Sequence, residues 1–290
     1  MSNILVSVII PFYKNKFWLQ EALRSVLCQT MTNFEIIVIN DGSEENIEDL
    51  IFCYADKVKF ITTLNKGAAI ARNTGTKAAK GKFLAFLDSD DLWLSLKLEK
   101  QVNYMIENNF KWSHSDYYRF SDSNSKKKYV SCNLFGNIFP KFLVWNPIAT
   151  PCVIIERDFV ISNKLCFEEG KRVGEDQSFW YQVGKLVPLG YLNEPLARVR
   201  IHGNNAAFDA GLQLKARGES IEFVKANRKN FKVKLIYYYF LIVLVYCKFS
   251  FVFFSNLSDF FNINFKKFQF LLKFFFGIAY LNFRIIRKLL

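Results

Sequence analysis

Four short apolar runs constrain the fold of this chain more than any other feature: residues 6–10, 35–40, 58–61 and 83–87. Each is short enough and apolar enough to be a buried strand, and the first is almost wholly β-branched. Between them lie three stretches of helical character, residues 17–27, 47–54 and the alanine-rich 68–79. In the first of these, Phe17, Leu19, Ala22, Leu23, Val26 and Leu27 recur at the spacing of one helix face. Strands and helices that alternate through short connections predict right-handed βαβ units. The expected fold class is therefore α/β, a mostly parallel central sheet flanked by helices.

In such a sheet, ligands bind beyond the carboxyl ends of the strands. The residues there have chemical character. Pro11 and Tyr13 follow the first run, Asp41 the second, and Asp88, Asp90 and Asp91 the fourth. Crowded carboxylates repel and tend to hold their protons. A divalent cation removes that cost, because Mg²⁺ and similar hard ions take carboxylate oxygens and keep positions open for phosphate. Asp88 and Asp90 lie two apart, so an extended chain turns both to one side. The competing expectation is an acidic cap on a helix running from Leu92 to Asn108. No G-x-G-x-x-G follows the first run and no G-x-x-x-x-G-K-[ST] occurs, which removes support for dinucleotide oxidoreductases and P-loop NTPases.

The second half is less regular. Residues 112–120 and 152–155 read as strands, 121–128 as a polar loop or hairpin tip, and 146–151 as a turn. Glu175 and Asp176, in Gly174-Glu175-Asp176-Gln177-Ser178-Phe179-Trp180, fit the first turn of a helix. They also fit a general base, which a carboxylate beside an acceptor hydroxyl provides. Residues 198–202 read as a short strand closing the globular part, with Arg200 shaped for a diphosphate and His202 available as a metal ligand. A lone histidine is also commonly structural, and His114 has no context that suggests chemistry.

Charge separates the last segment from the rest. From Gly211 onward there are 14 Lys and Arg against Glu219, Glu222 and Asp259, which is +11 of the chain's +13. Basic charge alone suits nucleic acid or an anionic membrane. Interleaved Phe, Tyr, Leu and Ile favour the membrane surface over nucleic acid. Residues 235–254 are long enough to span a bilayer but carry Lys248. In the next segment Lys266, Gln269, Lys273, Gly277, Tyr280, Arg284 and Arg287 would form one basic stripe on a helix lying in the interface. Mutual burial of these aromatic faces is the alternative. The six cysteines form no C-x-x-C pair, and no signal peptide precedes the first run, so reduced thiols in the cytosol are the expectation.

The four motifs SVIIPFYKN, IIVINDGS, NKGAAIARNTG and FLDSDD stand in order between residues 6 and 93. Together they resemble the family 2 glycosyltransferases of the A-type nucleotide-sugar-binding fold, similar to bacterial O-antigen and capsule enzymes. The resemblance implies a donor-binding half at 1–93, an acceptor half at 94–210 and an appended helical tail at 211–290. It implies that Asp41 reads the nucleotide base, with Arg72 nearby and Pro11, Tyr13, Lys66 and Gly67 in the donor-binding set. Asp88 would meet the ribose or the metal side, and Asp90 the metal bridging the diphosphate. His202 would join as a late metal ligand, and Asp176 would be the base, with Glu175 its competitor. Without the resemblance Arg72 reads as a solvated helix charge, since Arg on an alanine-rich helix is exposed more often than not.

The implied function is metal-dependent, inverting transfer of a sugar from a nucleoside diphosphate, UDP with a hexose or N-acetylhexosamine, to a hydroxyl of a glycan or lipid-linked glycan. The cofactor would be Mn²⁺ or Mg²⁺ and the place the cytoplasmic face of the inner membrane. A polyprenyl-phosphate sugar synthase of the same fold and a non-catalytic nucleotide-sugar or glycan-binding protein are the other readings. The sequence leaves the sugar, linkage, acceptor and oligomeric state open.

Overall fold

The computed structural model describes residues 4–139, 142, 146–171 and 174–202. The first strand, β1 (Val6–Phe12), is followed by α1 (Lys16–Leu27), β2 (Phe34–Asp41), α2 (Glu48–Tyr54), β3 (Val58–Thr63), α3 (Ala68–Ala78) and β4 (Phe83–Phe86). These are the expected alternating elements, and β3-β2-β1-β4 pair in parallel. Strand β1 runs past Pro11 to Phe12, two residues further than expected. Leu87 N donates to Ile9 O at 3.0 Å, and β4 pairs no further along β1. Pro11 faces the same side two residues on, so its missing N–H is not needed there.

The rest of the sheet is mixed, which corrects the expectation of a mostly parallel one. After β4 come β5 (Leu92–Trp93), α4 (Lys97–Glu107), β6 (Trp112–Ser121), β7 (Asn124–Val130), a 3-10 turn (Thr150–Cys152), β8 (Ile154–Glu156), α5 (Arg157–Ser162), α6 (Glu175–Leu186) and β9 (Gly190–Arg200). The order across the sheet is β3-β2-β1-β4-β8-β6-β9-β5, with β7 on β6. Strands β8, β5 and β7 are antiparallel to their neighbours, while β9 is parallel to β6. One sheet thus joins the two expected halves.

One local expectation changes, and one open alternative is decided. The chain after Asp91 enters β5 rather than a helix, and α4 begins only at Lys97. Strand β5 pairs Leu92 with Arg198 on β9, a partner far away in sequence. The polar stretch 121–128 is a hairpin tip whose second arm is β7.

The core has a layer on each side of the sheet. One buries Val8, Ile10, Val38 and Ala85 with Leu19, Leu23 and Val26 of α1 and Leu98 and Val102 of α4. The other stacks Phe167 on Phe179 at 4.2 Å and Phe86 edge-on to Trp180. Fully burying each such aromatic stabilises the fold by about 2 kcal/mol. Helix α3 lies close on β1, because Gly75 has no side chain: a Cβ there would stand 2.4 Å from Ile9 Cγ2.

Candidate active site

The carboxyl ends of β1, β2 and β4 open into one cleft of about 990 Å³. Pro11, Tyr13, Asp41, Arg72, Asp88, Asp90 and His202 all line it. Its walls are set by local contacts. Asn15 takes a left-handed conformation at the N-cap of α1, and its side chain accepts from Trp18 N. Glu45, from the loop after β2, accepts the Asn15 and Lys16 amides at 2.7 Å each. Asp41 is buried, and its two oxygens accept Lys66 N at 2.9 Å and Gly67 N at 2.7 Å. Lys66 and Gly67 therefore enter the site through their backbone, holding the turn into α3. Gly42 at φ +65 makes the turn after Asp41, where a Cβ would stand 2.6 Å from Asn65 N.

Arg72 is the hub of the site. It is 4% exposed on α3, so it is not a solvated helix charge. Its Nη2 reaches Asp88 at 2.6 Å and its Nη1 reaches Glu175 at 3.0 Å. Burial opposes its charge, but Asp88 and Glu175 outweigh burial and raise its pKa. One guanidinium thus ties the end of β4 to the first turn of α6, which no sequence spacing connects.

The three acids after β4 have separate partners. Asp90 Oδ2 lies 2.9 Å from His202 Nε2, and Trp18 stacks on that imidazole at 4.6 Å between centroids. Burial, then the charge of Asp88, pushes the Asp90 carboxyl up, with His202 opposing. Asp91 is buried and accepts the Arg200 amide at 2.8 Å; burial and its acidic neighbours hold it well above the usual carboxylate range. None of these acids caps a helix. Among the described residues no three His, Cys, Asp or Glu side chains converge as a ready metal site. The donor set still fits a divalent cation: two cleft carboxylates and an imidazole, with negative charge whose repulsion and burial a cation would relieve.

Asp176 stands one residue from Glu175 on α6. Its Oδ1 accepts Gln177 N at 2.7 Å and its Oδ2 accepts Thr150 Oγ1 at 3.2 Å. Burial, then Glu175, raises its pKa to about 6. Glu175 is committed to Arg72, whereas Asp176 has no cation within ion-pair distance among the described residues.

Arg200 lies beside the cleft rather than on its lining. The expectation put it on the diphosphate, yet it does not line the cleft and its side chain is 2% exposed. Its Nη2 pairs with Glu21 at 2.7 Å, its Nη1 with Asp122, and its Nε donates to Asp90 O at 2.8 Å. The guanidinium lies over the Phe120 ring at 4.6 Å and the Trp18 ring at 5.2 Å. It binds β9 to α1 and the β6–β7 tip. His114 is structural: it is buried, bonds Leu134 O at 2.7 Å, and burial lowers its pKa to about 4. Glu45, Trp18, Glu21, Asp122 and Thr150 were not singled out from sequence. Glu45, four residues after Asp41 in the same turn, carried the one usable signal.

The family model for glycosyl transferase family 2 matches residues 7–163. This chain belongs to that family. An uncharacterized glycosyltransferase of Rickettsia bellii (strain RML369-C) is 43% identical over 206 residues, covering 70% of this chain and 30% of that protein. The chain spans about a third of the length of the Rickettsia relatives it matches first. The Escherichia coli UDP-Glc:alpha-D-GlcNAc-diphosphoundecaprenol beta-1,3-glucosyltransferase WfgD is 35% identical over 199 residues, covering 67% of this chain and 75% of that one. Staphylococcus aureus TarS 1-349 in complex with UDP-GlcNAc superposes with a TM-score of 0.63 at 20% identity, over 76% of this chain and 65% of that chain. The chain has the A-type fold of that family.

Proposed function

We propose that this glycosyltransferase moves a sugar from a UDP-sugar, with inversion and with a divalent metal, to a hydroxyl of a lipid-linked glycan in bacterial polysaccharide synthesis. The observation that carries the reading is the Arg72 junction. It joins the cleft acids of β4 to the α6 turn that bears Asp176. Donor-side and acceptor-side groups thus meet at one guanidinium. WfgD and WfaP of Escherichia coli are both named as UDP-Glc-dependent enzymes acting on a GlcNAc-diphosphoundecaprenol, which supports the donor and acceptor class.

In this reading Asp41 faces the uracil and Tyr13 flanks it. Asp88, Asp90 and His202 are the residues to hold Mn²⁺ or Mg²⁺. An ion held there would supply a Lewis acid for the leaving diphosphate. Asp176 removes the proton of the acceptor hydroxyl as its oxygen bonds to the anomeric carbon and the bond to the diphosphate breaks. The acceptor oxygen arrives on the face opposite the leaving group, which gives inversion. Departure of the nucleotide as an ion needs no protein acid. Arg72 holds Glu175 and Asp88 in ion pairs and leaves Asp176 without one among the described residues.

A panel of nucleotide sugars, with release of UDP measured with and without a GlcNAc-diphospholipid, tests the reading. Release with a UDP-sugar is expected to need Mn²⁺ or Mg²⁺, to stop in EDTA and to stop in Asp90→Ala. Full turnover in EDTA would remove the metal from the reading. A product formed on polyprenyl phosphate alone would make the chain a lipid-phosphate sugar synthase instead.

A further inference from the structure

A second groove lies on the α6 side of the sheet, between α3 and α5, with a volume of about 480 Å³. That is within the range of small-molecule sites. Its floor is apolar: Val160 is buried, Leu165 is half-buried and Ile161 is 50% exposed at its edge. Three cations ring it, Lys77, Arg157 and Lys164, against the single acid Glu169 among the residues that line it. Lys77 and Lys164 have no ion pair among the described residues. Arg157 has only a long contact, Nη1 to Asp158 at 3.4 Å, and its buried Nε has no hydrogen-bond partner. Cationic heads around an apolar floor match one chemistry, a phosphate carrying a hydrocarbon chain.

The groove is linked to the active site through α3. Asn73 lines it and is the neighbour of Arg72 on α3. The Asn73 side chain donates to Phe167 O at 2.8 Å and accepts Phe167 N at 2.9 Å. Phe167 in turn lies under the Arg72 guanidinium at 5.5 Å. Leu165 and Cys166 of the groove thus sit on the segment that leads to Glu175 and Asp176.

We propose that this groove binds the phosphate-bearing polyprenyl chain of the acceptor, hydrocarbon on Val160, Ile161 and Leu165 and phosphate on Lys77, Arg157 and Lys164. The proposal rests on the lipid-linked acceptor of the previous subsection and adds where the lipid lies. A groove of this size takes one headgroup and the start of one chain rather than a bilayer patch.

Cys166 lines the groove and is exposed, whereas Cys28 and Cys53 are exposed elsewhere. The full chain is alkylated with iodoacetamide and the rate at each cysteine read by peptide mass mapping. Farnesyl phosphate at ten times its Kd is expected to slow Cys166 about tenfold and to leave Cys28 and Cys53 unchanged. Inorganic phosphate and farnesol alone are expected to protect little. Lys77→Glu with Arg157→Glu should abolish the protection, and the milder Lys77→Ala should weaken it while the Cys28 and Cys53 rates report an intact fold. The proposal is overturned by an unchanged Cys166 rate, by protection that survives the double substitution, or by equal protection from phosphate or farnesol. Protection by phosphatidylglycerol vesicles but not by farnesyl phosphate also overturns it, in favour of bilayer contact. Sugar transfer that continues without Cys166 protection would remove the groove and leave the transfer reading standing. Protection without transfer to any acceptor would do the reverse.

Discussion

Asp176 and Glu175 are adjacent carboxylates with opposite assignments, and the difference lies in their partners. Glu175 is paired with Arg72 at 3.0 Å, while among the described residues Asp176 is bonded to neutral groups, Thr150 Oγ1 and Gln177 N. Its pKa of about 6, raised from an ordinary 3.8 by burial and by Glu175, suits a base working near neutrality. The sign follows. A carboxyl raised in the fold is easier to bury protonated, so its ionisation costs stability as pH rises from 3.8 to about 6. Activity needs the ionised form and is expected to rise over the upper part of the same window. A pH profile of kcat/KM should show that step near 6, and Asp176→Asn should lack it. Asp176→Asn should also lower transfer by roughly 10²-fold or more, with UDP affinity by calorimetry nearly unchanged. Loss of UDP binding together with activity would make Asp176 a donor-side or structural group. A dead Glu175→Gln beside an active Asp176→Asn would reverse the two assignments.

Strand β9 is the element that the sequence placed only at its end: residues 198–202 read as a short strand, and the strand runs over Gly190–Arg200. Its last residue, Arg200, joins three elements: α1 through Glu21, the hairpin tip through Asp122, and the acidic turn through Asp90 O. Those partners are partly exposed, 32% for Glu21 and 56% for Asp122, so solvent screens the pairs. Arg200→Gln is expected to cost about 1–3 kcal/mol in urea unfolding, chiefly through the buried hydrogen bonds. UDP affinity of the folded protein should stay close to that of the parent. Full stability with weakened UDP binding would return Arg200 to the diphosphate. The same strand sets the position of His202, two residues further on, and so couples the hairpin tip to the cleft.

At the scale of the whole molecule, the charge of the chain lies outside the described residues. The segment from 211 onward carries +11 of +13 together with its aromatic residues, and the reading of a helix lying in a membrane interface belongs to it. Among the described residues no helix is long and apolar enough to cross a membrane. The full chain is expected to float with anionic liposomes, and high salt to release it only in part, because apolar burial is not screened. A chain ending at Asn230 should stay behind. A full chain that is monodisperse without detergent and ignores liposomes would make the tail a packing or oligomer surface.

Local pattern was enough for the first half of the sheet, β1 to β4. Strands β1, β2 and β4 are largely buried apolar runs, and each ends in a turn that lines the cleft. Asp41, Asp88 and Asp90 are therefore placed by the sequence alone, since a parallel βαβ sheet brings its carboxyl ends together. What depended on distant pairing was not legible. Strands β5, β6, β8 and β9 pair across long separations and in both directions, so the mixed sheet has no local signature. Burial of Arg72, the ion pairs that occupy Arg200 and the choice between Glu175 and Asp176 depend on which charges meet. Those meetings join residues 72 with 88 and 175, and 200 with 21 and 122. Charge type is written along the chain, but the partner that holds each charge is chosen only when the sheet closes.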